Sequence, residues 1–198
     1  MSECDKCGGE MRAESGDYHH PDLPGLVLIG LEQPTCTQCG ARGVEIPHLD
    51  GLHRLLAERI VAKRGRLAAS EIRFLRSSMG WTGVELARHL GVSPEAVSRW
   101  ENAKDTIGAI TDRLVRMVAA SRLDVPAPTE VLAELTDDAA PLALRLSFDG
   151  TRWAPEAEID EIAQLRRDAR ALAEALRGAV QRLSDDLAPI VARVLAER

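Results

Sequence analysis

The sequence predicts a mainly α-helical protein with a small β component, and three observations carry that prediction. Apolar residues recur at helical spacing through most of residues 50–122 and again from about 155 to 184. Period-two alternation is confined to short stretches near residues 10–35 and 142–153. All four cysteines lie in the first 39 residues, as two CxxC pairs. Aromatic residues make up 3% of a chain that is 45% apolar, so any core is built from Leu, Val, Ile and Ala. A length of 198 residues holds one or two small domains.

The cysteine pairs read Cys4-Asp-Lys-Cys7 and Cys36-Thr-Gln-Cys39, followed at once by Gly8 and Gly40. Two CxxC pairs can present four thiolates tetrahedrally to one Zn²⁺, at about 2.3 Å per Zn–S bond. Each glycine lets the chain turn so that backbone N–H groups point at sulfur. The 28-residue spacer is filled by a hairpin, with strands near Glu10–His19 and Leu26–Thr35 and Pro21-Asp22-Leu23-Pro24-Gly25 as its turn. Disulfides are the competing reading, but a reducing cytosol opposes them. Redox-active CxxC pairs sit in a strand-helix unit, which is absent here. Four thiolates leave no open position for a catalytic water. His19 and His20 are the other conceivable ligands and read instead as exposed loop residues.

Asp50 is placed to cap a connector helix running to about Lys63, with Leu52, Leu55, Leu56 and Ile60 on one face and Gly65 ending it. Its Arg54, Arg59, Lys63 and Arg64 are either a solvated face or phosphate contacts. Ile72, Leu75 and Met79 then mark a helix that precedes TGVELARHLGVSPEAVSRWEN, residues 82–102. In that stretch Leu86, Leu90 and Val92 pack around a Gly91-Val92-Ser93 turn, Ala87 permits a close helix crossing, and Val97 and Trp100 bury a second helix. This pattern is that of a helix-turn-helix, whose second helix can enter a DNA major groove. An ordinary αα-hairpin is the plainer alternative.

Beyond it, Ile110, Leu114, Met117 and Val118 predict another helix facing the core within Ile107–Ser121. Val125-Pro-Ala-Pro128 reads as a stiff linker. Leu142, Leu144, Leu146 and Phe148 alternate toward an Asp149-Gly150 hairpin turn and Trp153. A long helix follows, in which Ile162, Leu165, Ala169, Leu172, Leu176, Ala179 and Leu183 step by threes and fours. That stripe fits a coiled-coil contact with a second subunit, or a hairpin with the chain's own final helix, and Pro189 is expected to kink or break the tail. The expected divisions are therefore 1–49 (finger), 50–66 (connector), 67–124 (helix-turn-helix domain) and 125–198 (hairpin and helix, with possible dimerisation).

The net charge of −6 conceals an uneven distribution. Residues 1–50 carry 3 basic and 9 acidic groups, residues 51–122 carry 13 and 7, and residues 123–198 carry 9 and 15. The basic block coincides with the helix-turn-helix, where phosphate must be neutralised. No N-terminal signal is evident, and no apolar run approaches the ~18 residues that span a bilayer. A cytoplasmic protein is expected.

A CxxCG…CxxCG finger followed by EIRFLRSSMG-WTGVELARHLGVSPEAVSRWENA resembles the MqsA/YgiT-type antitoxins and regulators, over roughly residues 1–120. The resemblance implies a zinc-ribbon-like finger joined to a Cro/XRE-type helix-turn-helix. It also implies structural zinc on Cys4, Cys7, Cys36 and Cys39, and a dimer bound to a palindrome in its own promoter. By position it implies base contacts from Arg99 and Glu95. The chain departs from the family at Thr82-Gly83, where many relatives have Ser-Gln, and at Asn102-Ala103, where a glycine-containing helix end is usual. The third departure is the acidic extension of about 75 residues, which short antitoxins lack. Thr82 can still cap its helix and donate to phosphate, and Asn102 is expected to take the left-handed conformation.

With Val97 and Trp100 facing the core, Ser93, Glu95, Ser98, Arg99 and Asn102 lie on or beside the opposite face. Arg99 can contact guanine O6 and N7, which is worth ~1–3 kcal/mol of discrimination. Glu95 either accepts from cytosine or orients Arg99. Ser98, Lys104 and Thr106 are placed for phosphate. Glu101 is assigned to the fold, pairing with Arg76, because a carboxylate beside phosphates is repelled. The leading expectation is a dimeric transcriptional regulator that binds a double-stranded DNA operator. The alternative is an antitoxin that neutralises a small basic toxin through its finger or tail. A zinc or thiol enzyme lacks a convergent catalytic set, so the chain is not expected to be an enzyme. A thiol redox switch has no supporting residue pattern.

Overall fold

The computed structural model describes residues 3–127 and 129–196, with side chains through 181. Two compact units result, Met1–Pro155 and Glu156–Arg198.

The first unit begins with β1 (Met11–His19) and β2 (Leu26–Cys36), paired antiparallel from Met11–Cys36 to His19–Val27, with a register irregularity between Gly16 and Tyr18. Leu26, Leu28 and Leu31 of β2 point into the core, whereas β1 is exposed or half-buried throughout. The alternating segment near 144 does form a hairpin, β3 (Leu144–Phe148) and β4 (Trp153–Pro155). It adds to the same sheet, with β3 parallel to β2 and the order β1-β2-β3-β4. Gly25 makes this pairing possible. A Cβ there would lie 2.2 Å from the Leu142 carbonyl oxygen, and the Gly25 carbonyl accepts from Leu144 N–H at 2.8 Å. Trp153 is buried and donates its indole N–H to the Pro47 carbonyl at 2.8 Å.

The turn of this hairpin is held by the Asp149 carboxylate, which accepts from the Thr151 hydroxyl and from the N–H groups of Thr151 and Arg152 at 2.7–2.9 Å. These bonds, the Thr151 hydroxyl first, lower its pKa from 3.8 to about 2. A depressed folded-state pKa stabilises above the unfolded value, and the contribution disappears as pH falls through the folded value. Asp149→Asn is therefore expected to destabilise at neutral pH, with the difference from wild type closing between about pH 4 and pH 2. Urea denaturation across that range measures it; a gap independent of pH would contradict the assignment.

Five helices complete the core: α1 (Leu49–Val61), α2 (Ala69–Ser78), α3 (Gly83–Leu90), α4 (Pro94–Glu101) and α5 (Ala109–Leu123). In α1 the predicted face is buried at Leu52, Leu56 and Ile60, but both expected ends move. The cap is His48, in the left-handed conformation and without a side-chain bond; Asp50 lies in the first turn, where it favours the helix dipole. The helix ends at Val61 with Ala62 as C-cap, so Gly65 caps nothing. Gly65 instead permits close approach of residues 136–138, since a Cβ would meet the Asp138 carbonyl oxygen at 2.5 Å.

Of the predicted inward face of α5, only Val118 packs against the core, half-buried; the rest is turned outward. Ile110, Leu114 and Met117 are exposed, and the core face carries Asp112, Val115, Arg116, Ala119 and Ala120. Arg116 and Asp112 are both 0% exposed and joined at 2.6 Å. Arg116 also donates to the carbonyls of Ile60, Val61, Lys63 and Gly65, and Asp112 accepts from Leu67 N–H. One buried ion pair thus satisfies the carbonyls left open at the end of α1.

The segment expected to be a linker stays within the unit. Val125 is buried, and a short helix, α6 (Thr129–Ala133), follows. Residues 134–142 then pack along the connector, with Leu142 N–H and Ala68 N–H donating to the buried Glu71 carboxylate and Lys63 bridging Glu71 to the Ala140 carbonyl.

The second unit is one helix, α7 (Glu156–Ala196), of 41 residues and about 60 Å. It continues through Pro189, so the expected break, and with it a helix hairpin inside this unit, is not formed. Leu165, Leu172 and Leu176 of the predicted stripe are exposed, and Ile162 and Ala179 are half-buried. Leu183 lies outside the described side chains. No helix among the described residues is long and apolar enough to cross a membrane.

Candidate nucleic-acid interface and metal centre

The helix-turn-helix forms as its sequence dictates. Thr82 caps α3 by accepting from Glu85 N–H at 3.2 Å, while the Glu85 carboxylate accepts from the Thr82 N–H and hydroxyl at 2.7 and 2.8 Å. The Thr82 N–H bond, followed by the hydroxyl, holds Glu85 below its ordinary carboxylate range. Gly91 ends α3 in the left-handed conformation at φ 67°, and Ser93 caps α4 by accepting from Ala96 N–H. Leu86, Ala87, Leu90, Val97 and Trp100 are buried, as their spacing requires.

Glu101 and Arg76 form the expected pair, with two bonds of 2.6 and 3.1 Å. Arg76 reaches on to the Trp81 carbonyl, and Arg73 donates to the Glu101 carbonyl. The end of α4 is therefore fastened to α2. What remains outward on α4 is Glu95, Ser98 and Arg99, with Ser93 at its start and Asn102 and Lys104 at its end, all exposed; Thr82 is exposed at the start of α3.

Three details differ from expectation. Asn102 is not left-handed (φ −102°); Ala103 takes that conformation instead at φ 53°. The N–H groups of Ala103 and Lys104 bond back to the Trp100 and Arg99 carbonyls, a Schellman closure with alanine where glycine is favoured. Asn102 is left to bond with its side chain to the Ser98 carbonyl at 2.7 Å and, more weakly, to the Ser98 hydroxyl. Arg99 pairs with Asp105 at 3.8 Å rather than with Glu95. The sequence places the left-handed position on Asn102 rather than on its neighbour Ala103, and Asp105 is not among the residues it points to.

Of the basic connector residues Arg54, Arg59, Lys63 and Arg64, only Lys63 is withdrawn from solvent; the three arginines stay exposed, and two of them make loose ion pairs. Arg54 pairs with Asp124, Lys63 with Glu71, Arg64 with Glu134 and Arg66 with Asp137. Among the described residues Arg59, Arg88, Lys104 and Arg122 carry no salt bridge. Arg88 lies exposed on α3, and sequence reasoning missed it.

At the other end of the unit the four cysteines converge. Their sulfurs all lie within 4.8 Å of one another, with Cys4–Cys39 at 3.7 Å and Cys7–Cys36 at 3.5 Å. A tetrahedral ion with sulfurs at ~2.3 Å has S–S edges of about 3.8 Å, so the set has the dimensions of a metal site. Gly8 and Gly40 both adopt positive φ, at 73° and 69°. Bonds from the Cys39 and Gln38 N–H groups lower the Cys36 thiol to about 6. At Cys7 the Gly9 N–H acts downward, but the thiols of Cys39 and Cys36 and burial outweigh it and raise the value to about 12. His19 and His20 are not in the cluster; His20 Nδ1 accepts from Asp22 N–H instead.

These features define a helix-turn-helix protein with a four-cysteine site able to hold a metal ion. Residues 72–111, from α2 into α5, match the helix-turn-helix family model, which supports DNA binding and transcription regulation for this part of the chain. No curated protein matches the sequence.

Proposed function

We propose that the chain is a dimeric, sequence-specific regulator of transcription that binds a double-stranded DNA operator through α4 and acts as a repressor, including of its own promoter. The observation that carries the reading is the outward face of α4. It is built on two capped helices and fastened behind by Arg76–Glu101, leaving Arg99 exposed in the last turn of α4. Arg99 reads guanine through O6 and N7. Glu95 reads a neighbouring base, and Ser93, Ser98 and Lys104 bind phosphate. Thr82 and Asn102 fix the helix ends beside the phosphates, since their side chains are already engaged by Glu85 and Ser98. The exposed stripe of α7 supports dimerisation through a coiled coil.

The four cysteines hold one structural Zn²⁺ per chain in this reading. Four thiolates at tetrahedral spacing suit zinc and leave no position for a substrate. The working modules are the finger (1–49), connector (50–66), helix-turn-helix domain (67–124) and C-terminal extension (125–198).

Arg99→Ala is expected to weaken binding to the preferred duplex by about 10–100-fold, equivalent to ~1–3 kcal/mol, and to leave binding to unrelated duplexes nearly unchanged. Fluorescence anisotropy with both duplexes at fixed salt measures this; equal losses on both would reduce Arg99 to a phosphate contact.

A second reading makes the chain an antitoxin. It is favoured by the acidic residues 1–50 and by β1, an exposed strand at the sheet edge that carries Glu14 and Asp17. A small basic protein encoded beside it, co-purifying and losing toxicity in the complex, would support this reading; a neighbourhood without such a gene would oppose it.

A further inference from the structure

A groove of about 460 Å³ opens between the β1–β2 turn and the helices α1 and α2. It shares no lining residue with the cysteine cluster or with the outward face of α4. The turn contributes His20 and Asp22, and α1 contributes His53. From α2 come Ser70, Arg73, Phe74 and Ser77, which follow one another at helical offsets and so share one face. A concave surface of this size, part aromatic and with a few convergent polar groups, has the dimensions of a small-molecule site.

We propose that this groove binds a small organic monocarboxylate with a planar apolar body. The proposal goes beyond DNA reading and does not rest on it. Arg73 supplies the positive charge. Its Nη2 donates to the Glu101 carbonyl at 2.6 Å, which anchors the guanidinium before any ligand arrives. Among the described residues it makes no ion pair and no other hydrogen bond, so the rest of the fork is open to a carboxylate. His20 supplies a neutral donor. Burial holds its pKa below the ordinary value, against the pull of Asp22 and together with the His53 charge, so the ring is neutral at neutral pH. Its Nδ1 accepts from the Asp22 N–H at 3.2 Å, which places the single ring proton on Nε2. The hydroxyls of Ser70 and Ser77 add donors with no other hydrogen bond among the described residues.

The lining also selects the class of ligand. His53 and Phe74 meet edge to face, with ring centroids 5.8 Å apart and planes at 80°, and form an aromatic wall. A planar body covers such a wall without the entropy cost of ordering a flexible chain. Asp22 is exposed at the groove, and its carboxylate offsets the one guanidinium. A dianion such as phosphate therefore meets too little positive charge, whereas one carboxylate is matched by the Arg73 fork. A metal ion is not the occupant, because among the described residues only the four cysteines bring ligand atoms together at ion spacing.

The test follows the backbone amides of the full metal-loaded chain by NMR while sodium benzoate is added at constant ionic strength. Saturable shifts are expected in residues 20–22, 53 and 70–77. For a probe of this size the dissociation constant should fall between about 0.1 and 10 mM. Benzamide, of the same shape but uncharged, is expected to bind at least about tenfold more weakly. Arg73→Gln, at an exposed position, should weaken benzoate by a similar factor while its spectrum stays dispersed. An excess of inorganic phosphate should leave the benzoate shifts in place. No saturable shift up to about 50 mM benzoate would overturn the site. Equal affinity for benzamide would overturn the carboxylate as the recognised group, a comparison that needs the wild-type chain alone. Undiminished benzoate binding in a folded Arg73→Gln chain would overturn the assignment to this groove. Displacement of benzoate by phosphate would overturn the monoanion class.

Discussion

Arg116→Ala is expected to destabilise the protein by about 3–5 kcal/mol, because it leaves Asp112 charged and unpaired in the core. The loss is not confined to the ion pair. The carbonyls of Ile60, Val61, Lys63 and Gly65 all accept from this guanidinium and lose it, although the Ile60 carbonyl keeps a bond from the Lys63 N–H at 3.3 Å. The double variant Asp112→Leu/Arg116→Met separates the two effects. Where a buried pair serves only itself, an apolar replacement is often neutral. Here it also orphans the end of α1 and the Leu67 N–H, so the double variant is expected to remain about 2–3 kcal/mol below wild type. Urea denaturation gives both values from the midpoint and slope. Full recovery in the double variant would mean that the carbonyls find water instead.

Chelation of the zinc assigned to the four cysteines is expected to melt one part of the molecule and spare the rest. Across residues 3–16 and 32–43 the buried residues are Cys4, Gly9 and Cys36, so the finger tip has no apolar core of its own. The base of the hairpin is different: Leu26, Leu28 and Leu31 pack with Leu146 and Trp153 into the main core. Structural zinc contributes an apparent ~10–16 kcal/mol in small finger peptides at neutral pH, far more than the tip can replace. Hydrogen exchange after chelation should rise sharply in residues 3–16 and 32–43, while the amides of α1–α5 keep their protection. Cys36→Ser should reproduce the pattern. Uniform loss of protection would show that the metal holds the whole unit, and no change would remove its structural role.

Much of the reading face was legible because its determinants are local. Thr82 with Glu85, Gly91, Ser93 and the pair Val97–Trp100 act within a few residues of one another, and each adopts the conformation or burial that its type prefers. The cysteine cluster was legible for a similar reason, since CxxC spacing fixes each half of the site. The phase of α5 was not. Ile110, Leu114 and Met117 have core character, whereas Asp112 and Arg116 read as surface. Only the open carbonyls of residues 60–65, some fifty positions earlier in the chain, make the charged face the buried one. Long range also hid the sheet: β3 pairs with β2 across more than a hundred residues, and nothing local to Leu144–Phe148 names that partner. The segment after residue 123 also folds back on the basic connector: Asp124, Glu134 and Asp137 pair with Arg54, Arg64 and Arg66, and the Ala140 carbonyl accepts from Lys63. Arg88 on α3 and Lys104 just after α4 carry no salt bridge among the described residues.

The central claim is that this chain reads double-stranded DNA as a two-fold dimer through α4. Selection of bound duplexes from a randomised pool by the full metal-loaded protein tests it most directly. The expected result is a palindromic motif with half-sites about one helical turn apart, centre to centre, and a guanine in each half that loses its enrichment when Arg99→Ala is used. Recovery of a non-symmetric motif, or of no motif above the starting pool, would contradict the account.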